Sequence, residues 1–313
     1  MMKRFRCQFA GVLAALTVSA FALAGCGGNA SSGDFIVAYA NHNDDDAFGN
    51  MIREAFKNKA ASSGLNVEFY DAKSDGNLQT DQVHEMIDKG VGAIVLLAVD
   101  GDGIIPAVEK ANAANIPVIA INRDLNGGKF LAVTSDNKEA GRLQGEYFKK
   151  NLPPDAKVVN LEGSANQKGA QDRWEGFSDS CLKARPDVQL LSMMDGDYSR
   201  AEAMKIMSVW LNLFPQINAV IAGNDEMALG AIAALKAANR LEGTLVSGVD
   251  ATDAALKAIE AGEMVQTVKQ DAVGQAEGAV DIAVAAKSGN VPSEGKTIPF
   301  TSITKDNIAQ FIK

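Results

Sequence analysis

The sequence predicts an α/β protein with two Rossmann-like lobes, each built around a parallel β-sheet. Short apolar runs alternate with segments of helical periodicity along nearly the whole chain, as expected for parallel strands that helices connect and cover. About 280 residues follow the N-terminal segment, which is more than a single hydrophobic core usually serves. The alternation occurs twice, which indicates two lobes of similar content.

Each apolar run is predicted to be a strand and each amphipathic stretch a helix. The predicted strands are Phe35–Ala40, Val67–Tyr70, Ala93–Ala98, Pro117–Ile121, Phe130–Val133, Lys157–Leu161, Val188–Leu191, Ala219–Ala222, Thr244–Val249 and Val265–Val268. The predicted helices are Phe48–Ser62, Leu78–Lys89, Ile104–Ala114, Lys138–Lys150, Ala201–Phe214, Ala228–Ala238, Ala254–Ala261 and Gly274–Lys287.

The chain is predicted to pass between the lobes at Thr134–Asp136, near Gln270 and at Pro299–Thr301. The N-terminal lobe then contains residues 34–135 and 270–299, and the C-terminal lobe contains residues 136–269 and 300–313. Two lobes joined by such a three-segment hinge can open and close around a cleft.

Residues 1–25 are predicted to be a secretory signal. Three basic residues in the first six positions precede the apolar stretch Phe9–Ala24, which is too short for a membrane-spanning helix. The stretch ends in Leu23–Cys26, which resembles a bacterial lipobox and predicts lipidation of Cys26, with residues 26–33 as a tether. Ordinary cleavage next to an incidental cysteine is the alternative. We therefore expect an extracytoplasmic protein, in the periplasm or on the outer face of the cell membrane, with the lipid as its only membrane attachment.

The charge and cysteine content exclude several classes of protein. The chain has a formal net charge of −9, and removing residues 1–25, which hold three basic and no acidic residues, would make it −12. Such an acidic surface argues against nucleic-acid binding. Once Cys26 carries a lipid, Cys181 has no partner for a disulfide, and we expect it to be a buried, small apolar side chain.

Polar residues follow the predicted strands, where the carboxyl ends of parallel strands form the ligand crevice of α/β folds. They are Asn41–Asp46, Asp71, Asp100, Asn122–Asp124, Glu162, Asn224–Asp225 and Asp250.

Four stretches resemble the periplasmic sugar-binding proteins of the ribose and glucose/galactose type, which have the type I periplasmic binding protein fold. They are Asn115–Val118, Asn224–Gly230, Gly248–Ala251 and Thr304–Asn307. The resemblance extends from about Phe35 to the C-terminus. It implies a substrate-binding protein of an ABC importer, not an enzyme, that holds its sugar between the lobes.

The resemblance assigns ten residues to the ligand site. Phe48 and Tyr198 correspond to the aromatic residues that sandwich the sugar ring. The remaining eight correspond to polar residues of the cleft: Asp46, Asn122, Arg123, Gln167, Arg173, Asn224, Asp250 and Gln270. Three positions depart from the family: Gly49 stands where the ribose branch has a second aromatic residue, Tyr198 stands where the galactose branch has tryptophan, and Leu152–Asp155 stands where the galactose branch has a calcium loop. We therefore expect no calcium.

The residue types of this set suit a sugar independently of the resemblance, because a hydroxyl group both donates and accepts hydrogen bonds. Asp46 and Asp250 supply acceptors, Arg123 and Arg173 supply donors, and the amide side chains supply both. Two carboxylates balance two guanidinium groups, which favours an uncharged ligand.

Each of these residues also has a purely structural interpretation. One of Asp44–Asp46 is expected to cap the following helix, and Asp225 is expected to cap the helix after it and leave Asn224 free for the cleft. Phe48 could belong to the core. Arg123 and Arg173 could form surface ion pairs, and Tyr198 could be an exposed loop aromatic.

The sequence leaves four functions to compare. The preferred one is a binding protein that delivers a monosaccharide or cyclic polyol to ABC permease and ATPase subunits, and works as a monomer. The second is a sensor that feeds a chemoreceptor or kinase. The third is an enzyme, but the chain has no phosphate loop and no Gly-x-Ser-x-Gly motif. The fourth is a transcription regulator, which the signal segment disfavours. We expect no cofactor, and no metal, because the two histidines lie on separate elements.

Overall fold

The structure, a computed structural model, describes residues 35–164 and 167–312. The predicted signal, the lipidation site Cys26 and the tether lie outside these residues. Within the described part of the chain, no helix has the length and apolar character needed to span a lipid bilayer.

Two sheets of six strands each organise the described residues. In chain order the strands are β1 (Ile36–Asn41), β2 (Asn66–Asp71), β3 (Ala93–Leu96), β4 (Val118–Ile121), β5 (Leu131–Thr134), β6 (Lys157–Glu162), β7 (Gln189–Asp195), β8 (Ala219–Ala222), β9 (Leu245–Asp250), β10 (Gln266–Lys269), β11 (Lys296–Thr297) and β12 (Thr301–Thr304). The order is β11-β5-β4-β3-β1-β2 in the first sheet and β12-β10-β9-β8-β6-β7 in the second. The two orders match position by position, which confirms the predicted repeat and the two-lobed α/β fold.

Helices connect the strands. They are α1 (Ala47–Ser62), α2 (Gly76–Lys89), α3 (Ile105–Ala113), α4 (Asn137–Asn151), α5 (Lys168–Phe177), α6 (Arg200–Leu213), α7 (Asp225–Ala237), α8 (Asp253–Glu260) and α9 (Ala272–Lys287), with a π-helical turn at Ser178–Leu182 and a 3-10 turn at Ile308–Gln310. All ten predicted strands and all eight predicted helices are present. The predictions lacked α5, β11 and β12.

The strand sequences explain why the sheets are buried on both faces. All four residues of β3, β4 and β8 are buried, since each strand is a continuous apolar run between layers of helices. Helices α1 and α9 share one core with the first sheet, and α2 and α3 share another on its opposite face. All strand pairs are parallel except β10 with β12, which is antiparallel.

The strand order fixes where a ligand site can form. In each sheet the connections reverse direction beside the first strand of the repeat, between β1 and β3 and between β6 and β8. Helices leaving these two strands go to opposite faces, and a crevice opens at the carboxyl ends. The two crevices belong to facing lobes.

The chain passes between the two sheets three times. After β5 in the first sheet, α4 packs on the second; after β10 in the second sheet, α9 packs on the first. The third passage lies between β11 and β12, which belong to different sheets. At the hinge, Ser135 Oγ accepts a hydrogen bond from Gln275 Nε2 at 3.1 Å, which ties the first passage to α9.

Helices α4 and α5 pack closely because glycines remove side chains from their interface. A Cβ atom on Gly176 would overlap the backbone carbonyl of Lys138, and one on Gly141 would overlap the carbonyl of Arg173. A backbone neighbour cannot move aside as a flexible side chain can. The two glycines therefore allow α5 to pack directly against α4.

We predict that Gly176→Ala lowers the free energy of unfolding by about 1–3 kcal/mol, because the added methyl group overpacks this interface. Gly76→Ala is the matched control, since Gly76 begins α2 and nothing lies within 4 Å of its Cβ position. Urea unfolding followed by circular dichroism measures both variants. Equal stabilities for the two variants would contradict the proposed packing role.

Candidate ligand-binding site

A cavity between the lobes collects polar side chains from the carboxyl ends of both sheets. We call it the interlobe cavity; it offers about 110 Å³ of space in which water-sized molecules fit. All ten residues assigned from the sequence line it: Asp46, Phe48, Asn122, Arg123, Gln167, Arg173, Tyr198, Asn224, Asp250 and Gln270. The structure thus brings together residues that are as much as 224 positions apart in the chain, from Asp46 to Gln270. Their contact with a ligand stays a prediction.

Asp46 combines a capping role with a place in the cavity wall. It is the N-cap of α1, and its Oδ1 accepts a hydrogen bond from Gly49 N at 2.5 Å. Among the described residues, no hydrogen bond to its second oxygen is present. One carboxylate oxygen therefore fixes the start of the helix, and the other can accept from a ligand hydroxyl.

Phe48 belongs both to the core and to the cavity. Its side chain is only 7% exposed and packs in the same cluster as Tyr39, Ile52 and Phe56. The structural interpretation of Phe48 and the functional one are therefore compatible, because a ring held by the core presents a fixed apolar surface to the cavity.

Arg123 is held at the end of β4 with donors to spare. Its Nη1 donates to the carbonyl of Ala98 at 2.9 Å, and burial lowers the pKa of the guanidinium. No ion pair of Arg123 occurs within the described residues, so it is not part of a surface salt bridge. The preceding residue, Asn122, has a φ of 67°, and its Nδ2 donates to Gln275 Oε1 at 3.3 Å.

Arg173 connects three segments of the cavity wall. Its Nε donates to Asn137 Oδ1 at 2.9 Å, its Nη1 to the carbonyl of Gly223 at 2.5 Å, and its Nη2 to Gln270 Oε1 at 3.4 Å. These partners begin α4, follow β8 and follow β10. Arg173 is thus positioned by neutral acceptors rather than by an ion pair.

Tyr198 and Asn224 line the cavity from the elements of the second sheet. Tyr198 has a φ of 54°, its ring lies directly against Gly163, and burial raises the pKa of its hydroxyl. Asn224 Nδ2 donates to the Tyr198 carbonyl at 3.4 Å. The interpretation of Tyr198 as an exposed loop aromatic is therefore wrong.

The expected roles of Asn224 and Asp225 are reversed in the structure. Asn224 is the N-cap of α7, and its Oδ1 accepts from Met227 N at 2.9 Å. The prediction that Asp225 caps the helix and leaves Asn224 free is wrong. Asp225 is the first helical residue and points into the protein, where it accepts from Thr252 N at 2.8 Å and Thr267 Oγ1 at 2.7 Å. Only the Nδ2 group of Asn224 remains for the cavity.

Asp250 lies at the end of β9, where burial disfavours its charged form. It is 4% exposed, and burial together with the neighbouring Asp225 carboxylate raises its pKa well above the usual range, while Arg173 opposes this shift. Its φ of 125° is strained for an aspartate, and such strain concentrates at functional sites. Gln270 Nε2 donates to Asp250 Oδ1 at 3.4 Å.

The sequence analysis missed part of the cavity lining. Asp100 and Asp124 were noted as polar residues that follow predicted strands, but they were not assigned to the ligand site. Gly49 was noted only as a departure from the family. The lining also contains His42, Asp102, Asn126, Asn137, Lys168 and Asp172. Of these, Asn137, Lys168 and Asp172 lie in the N-terminal halves of α4 and α5, where no strand pattern indicates them. Gln167 is the N-cap residue of α5 and lines the cavity.

The lining carries more acid than the sequence analysis expected. Six aspartates and only three basic side chains line the described part of the cavity, so the predicted balance of two acids and two guanidinium groups does not hold. Lys168 and Asp172 pair at 2.6 Å. No cluster of three His, Cys, Asp or Glu side chains suited to a metal ion occurs in the described ranges.

The fold and this cavity define a two-lobed solute-binding protein. Residues 37–290 match the sequence profile of the periplasmic binding protein domain, so the chain belongs to this family. It is 34% identical to a candidate rhizopine-binding protein of Rhizobium meliloti, over 85% of this chain and 89% of that protein. It is 31% identical to the ribose import binding protein of Escherichia coli, over 70% and 73% of the two chains.

A solved structure shows the same architecture. An ABC transporter solute-binding protein of Bacillus halodurans with bound myo-inositol superposes with a TM-score of 0.86, at 33% identity over 90% of this chain and 98% of that one. The relatives are named as binding proteins rather than enzymes. The family places the protein outside the cytoplasm, in the sugar and polyol class of ABC-transporter binding proteins.

We predict that Asp250→Asn changes the pH dependence of stability in the ligand-free protein. A carboxyl whose pKa is raised by folding stabilises the fold at low pH, and this contribution is lost as the pH rises through the folded-state pKa. The stability of the variant relative to wild type should therefore increase as the pH rises from the usual carboxyl range toward the raised pKa of Asp250. Urea unfolding at several pH values measures it. Asp88→Asn, at a side chain that is 77% exposed, is the control, and a difference independent of pH would contradict the prediction.

Proposed function

We propose that this protein is the substrate-binding component of an ABC importer, and that it binds one monosaccharide or cyclic polyol in the interlobe cavity. The observation that carries the proposal is the convergence of ten predicted residues from both lobes on one cavity. Phe48 and Tyr198 supply apolar surfaces for the C–H faces of a ring. The polar groups around them supply donors and acceptors for its hydroxyl groups.

The size of the cavity suits one ring. About 110 Å³ of accessible space corresponds to roughly seven to eleven water positions at about 10–15 Å³ each. A monosaccharide or an inositol, with about as many heavy atoms arranged in a compact ring, fills such a volume, whereas an oligosaccharide exceeds it. We infer a single-ring ligand.

The charge of the cavity argues for an uncharged ligand. Even without Asp250, whose pKa burial raises well above the usual range, five aspartates of the lining outnumber its three Lys and Arg side chains. A phosphate or carboxylate on the ligand would add to this excess of negative charge. Sugar phosphates and uronic acids are therefore expected to be rejected.

Lobe closure is proposed as the binding motion. We assign residues 34–135 with 270–299 to one moving lobe and residues 136–269 with 300–313 to the other, joined at the three passages. A ligand that contacts both lobes stabilises the closed form by its preference for it. The closed monomer then presents both lobes to the permease and ATPase subunits of the importer.

We also propose that a lipid on Cys26 attaches the protein to the membrane. The lipobox-like sequence and the tether support it, since a flexible segment would let the lobes reach the importer. The sensor alternative, with a chemoreceptor as partner, is not favoured, because the ribose relative is named for import.

A ligand panel tests the function. The panel contains D-ribose, D-galactose, D-glucose, D-xylose, L-arabinose, xylitol and myo-inositol, the last because the Bacillus halodurans protein contains it. A ligand at 100 times its dissociation constant adds about 2.7 kcal/mol of stability, which raises the melting temperature by about 5 °C. We expect at least one member to do so and glucose 6-phosphate to have no effect. No shift with any neutral member would contradict the proposal.

We predict that Arg173→Ala abolishes binding of the ligand found in this way, because it removes hydrogen bonds that a neutral side chain cannot replace. Isothermal titration calorimetry, at a temperature where both proteins are folded, should show a loss of at least about 100-fold in affinity, corresponding to charge-assisted bonds of about 1.5–3 kcal/mol each. Arg142→Ala is the control, since Arg142 lies on α4 and pairs with Glu139 at 2.6 Å, away from the cavity. Retained affinity in Arg173→Ala would show that the site is wrongly placed.

A further inference from the structure

His42 is a buried wall residue of the interlobe cavity to which the sequence analysis assigned no role. It follows β1 directly, is 6% exposed and lines the cavity. Its backbone is fixed on both sides: its N donates to Asn41 Oδ1 at 3.1 Å, and its carbonyl accepts from Ser74 N at 2.7 Å. The imidazole therefore has a defined position in the wall.

The imidazole has a hydrogen-bonding atom without a partner. Nδ1 is buried and makes no hydrogen bond, although a buried polar atom left unpaired costs about 1–3 kcal/mol. The nearest acidic group on the other side of the ring is Asp46, with Nε2 at 3.9 Å from Oδ1. Burial and the neighbouring Arg123 lower the pKa of His42 well below its usual range, so the ring is neutral and one of its nitrogens is an acceptor.

Gly49 provides the space for this imidazole. A Cβ atom built on Gly49 would lie 2.9 Å from His42 Cε1 and 3.3 Å from Nδ1. Both residues line the cavity, and the edge of the ring that carries Cε1 and Nδ1 packs against Gly49. Any larger residue at position 49 would push the ring away.

We propose that His42 is a specificity-determining residue that accepts a hydrogen bond at Nδ1 from one hydroxyl group of the ligand. The proton of the neutral ring is then on Nε2, on the side of the Asp46 carboxylate, and Nδ1 carries the lone pair. The ligand hydroxyl satisfies an atom that no protein group satisfies in the described residues. This inference rests on the proposed function, because it adds one contact to that site.

His42 would therefore select ligands by the position of one hydroxyl group on the ring. A ligand whose ring places a hydroxyl toward β1 gains a hydrogen bond in a dry part of the wall. An analogue with hydrogen at that position leaves Nδ1 unpaired and loses affinity, since sites built to bond a hydroxyl reject analogues that lack it.

Two substitutions of His42 separate hydrogen bonding from packing. His42→Asn places an amide oxygen close to the position of Nδ1 and keeps an acceptor there, whereas His42→Leu keeps an apolar side chain of similar reach and removes the acceptor. The probes are myo-inositol, D-ribose and xylitol, measured by isothermal titration calorimetry on wild type and both variants. The melting temperatures of the three ligand-free proteins are measured in parallel.

We expect His42→Leu to weaken binding of the probes about tenfold, as for the loss of one hydrogen bond, and His42→Asn to remain within about threefold of wild type. The ligand-free Leu variant should be at least as stable as wild type, because it no longer buries an unpaired acceptor. Equal affinities of wild type and His42→Leu, or equal losses in both variants together with lower melting temperatures, would overturn the assignment of His42. If wild type binds another neutral member of the ligand panel instead of these three, that member is the probe; if it binds no neutral member, the proposed function fails and this inference fails with it.

Discussion

The guanidinium group of Arg173 hydrogen-bonds to three separate segments of the cavity wall. Its partners Asn137, Gly223 and Gln270 lie at the start of α4, after β8 and at the hinge after β10. Arg173 reaches them only because α5 packs closely on α4, which in turn requires glycine at positions 141 and 176. The close packing of α4 and α5 at these two glycines therefore determines where Arg173 places its positive charge in the cavity.

That positive charge offsets a concentration of buried acid. Burial and the neighbouring Asp225 carboxylate raise the pKa of Asp250, and Arg173 is the neighbour that lowers it. Asp225 is held by Thr252 and Thr267, so its role is to fix the loop after β9. Asp250 is left facing the cavity, where hydroxyl donors of a ligand would favour its ionised form. Binding and the charge state of this carboxyl are therefore expected to be linked.

The sequence predicted the fold well because the strands are fully buried and hence continuously apolar. Strands such as β3 and β8 need no context to be recognised. The strands it did not predict, β11 and β12, are short, and their exposed residues follow no apolar pattern. Helix α5 was absent from the predictions because it is short and contains two glycines, whose value lies in a packing partner far away in the chain.

The resemblance to the sugar-binding family supplied Phe48, Gln167, Arg173, Tyr198 and Gln270, and the rest of the predicted site agrees with the rule that polar residues follow parallel strands. That rule located Asp46, Asn122, Asn224 and Asp250 in the cavity, but it did not reveal which atoms the local structure uses. The capping role of Asn224 depends on the exact start of α7, and the place of His42 depends on the missing side chain of Gly49. Both are facts of three-dimensional packing that spacing in the sequence does not contain.

The central claim is that side chains from both lobes bind a single uncharged, polyhydroxylated ligand. A crystal structure of the protein with its tightest neutral ligand tests this most directly. The account predicts one ring between Phe48 and Tyr198, with hydroxyl groups bonded to Asp46 on one lobe and to Arg173 and Asp250 on the other. A ligand that contacts one lobe only, or lies outside the cavity, would contradict it.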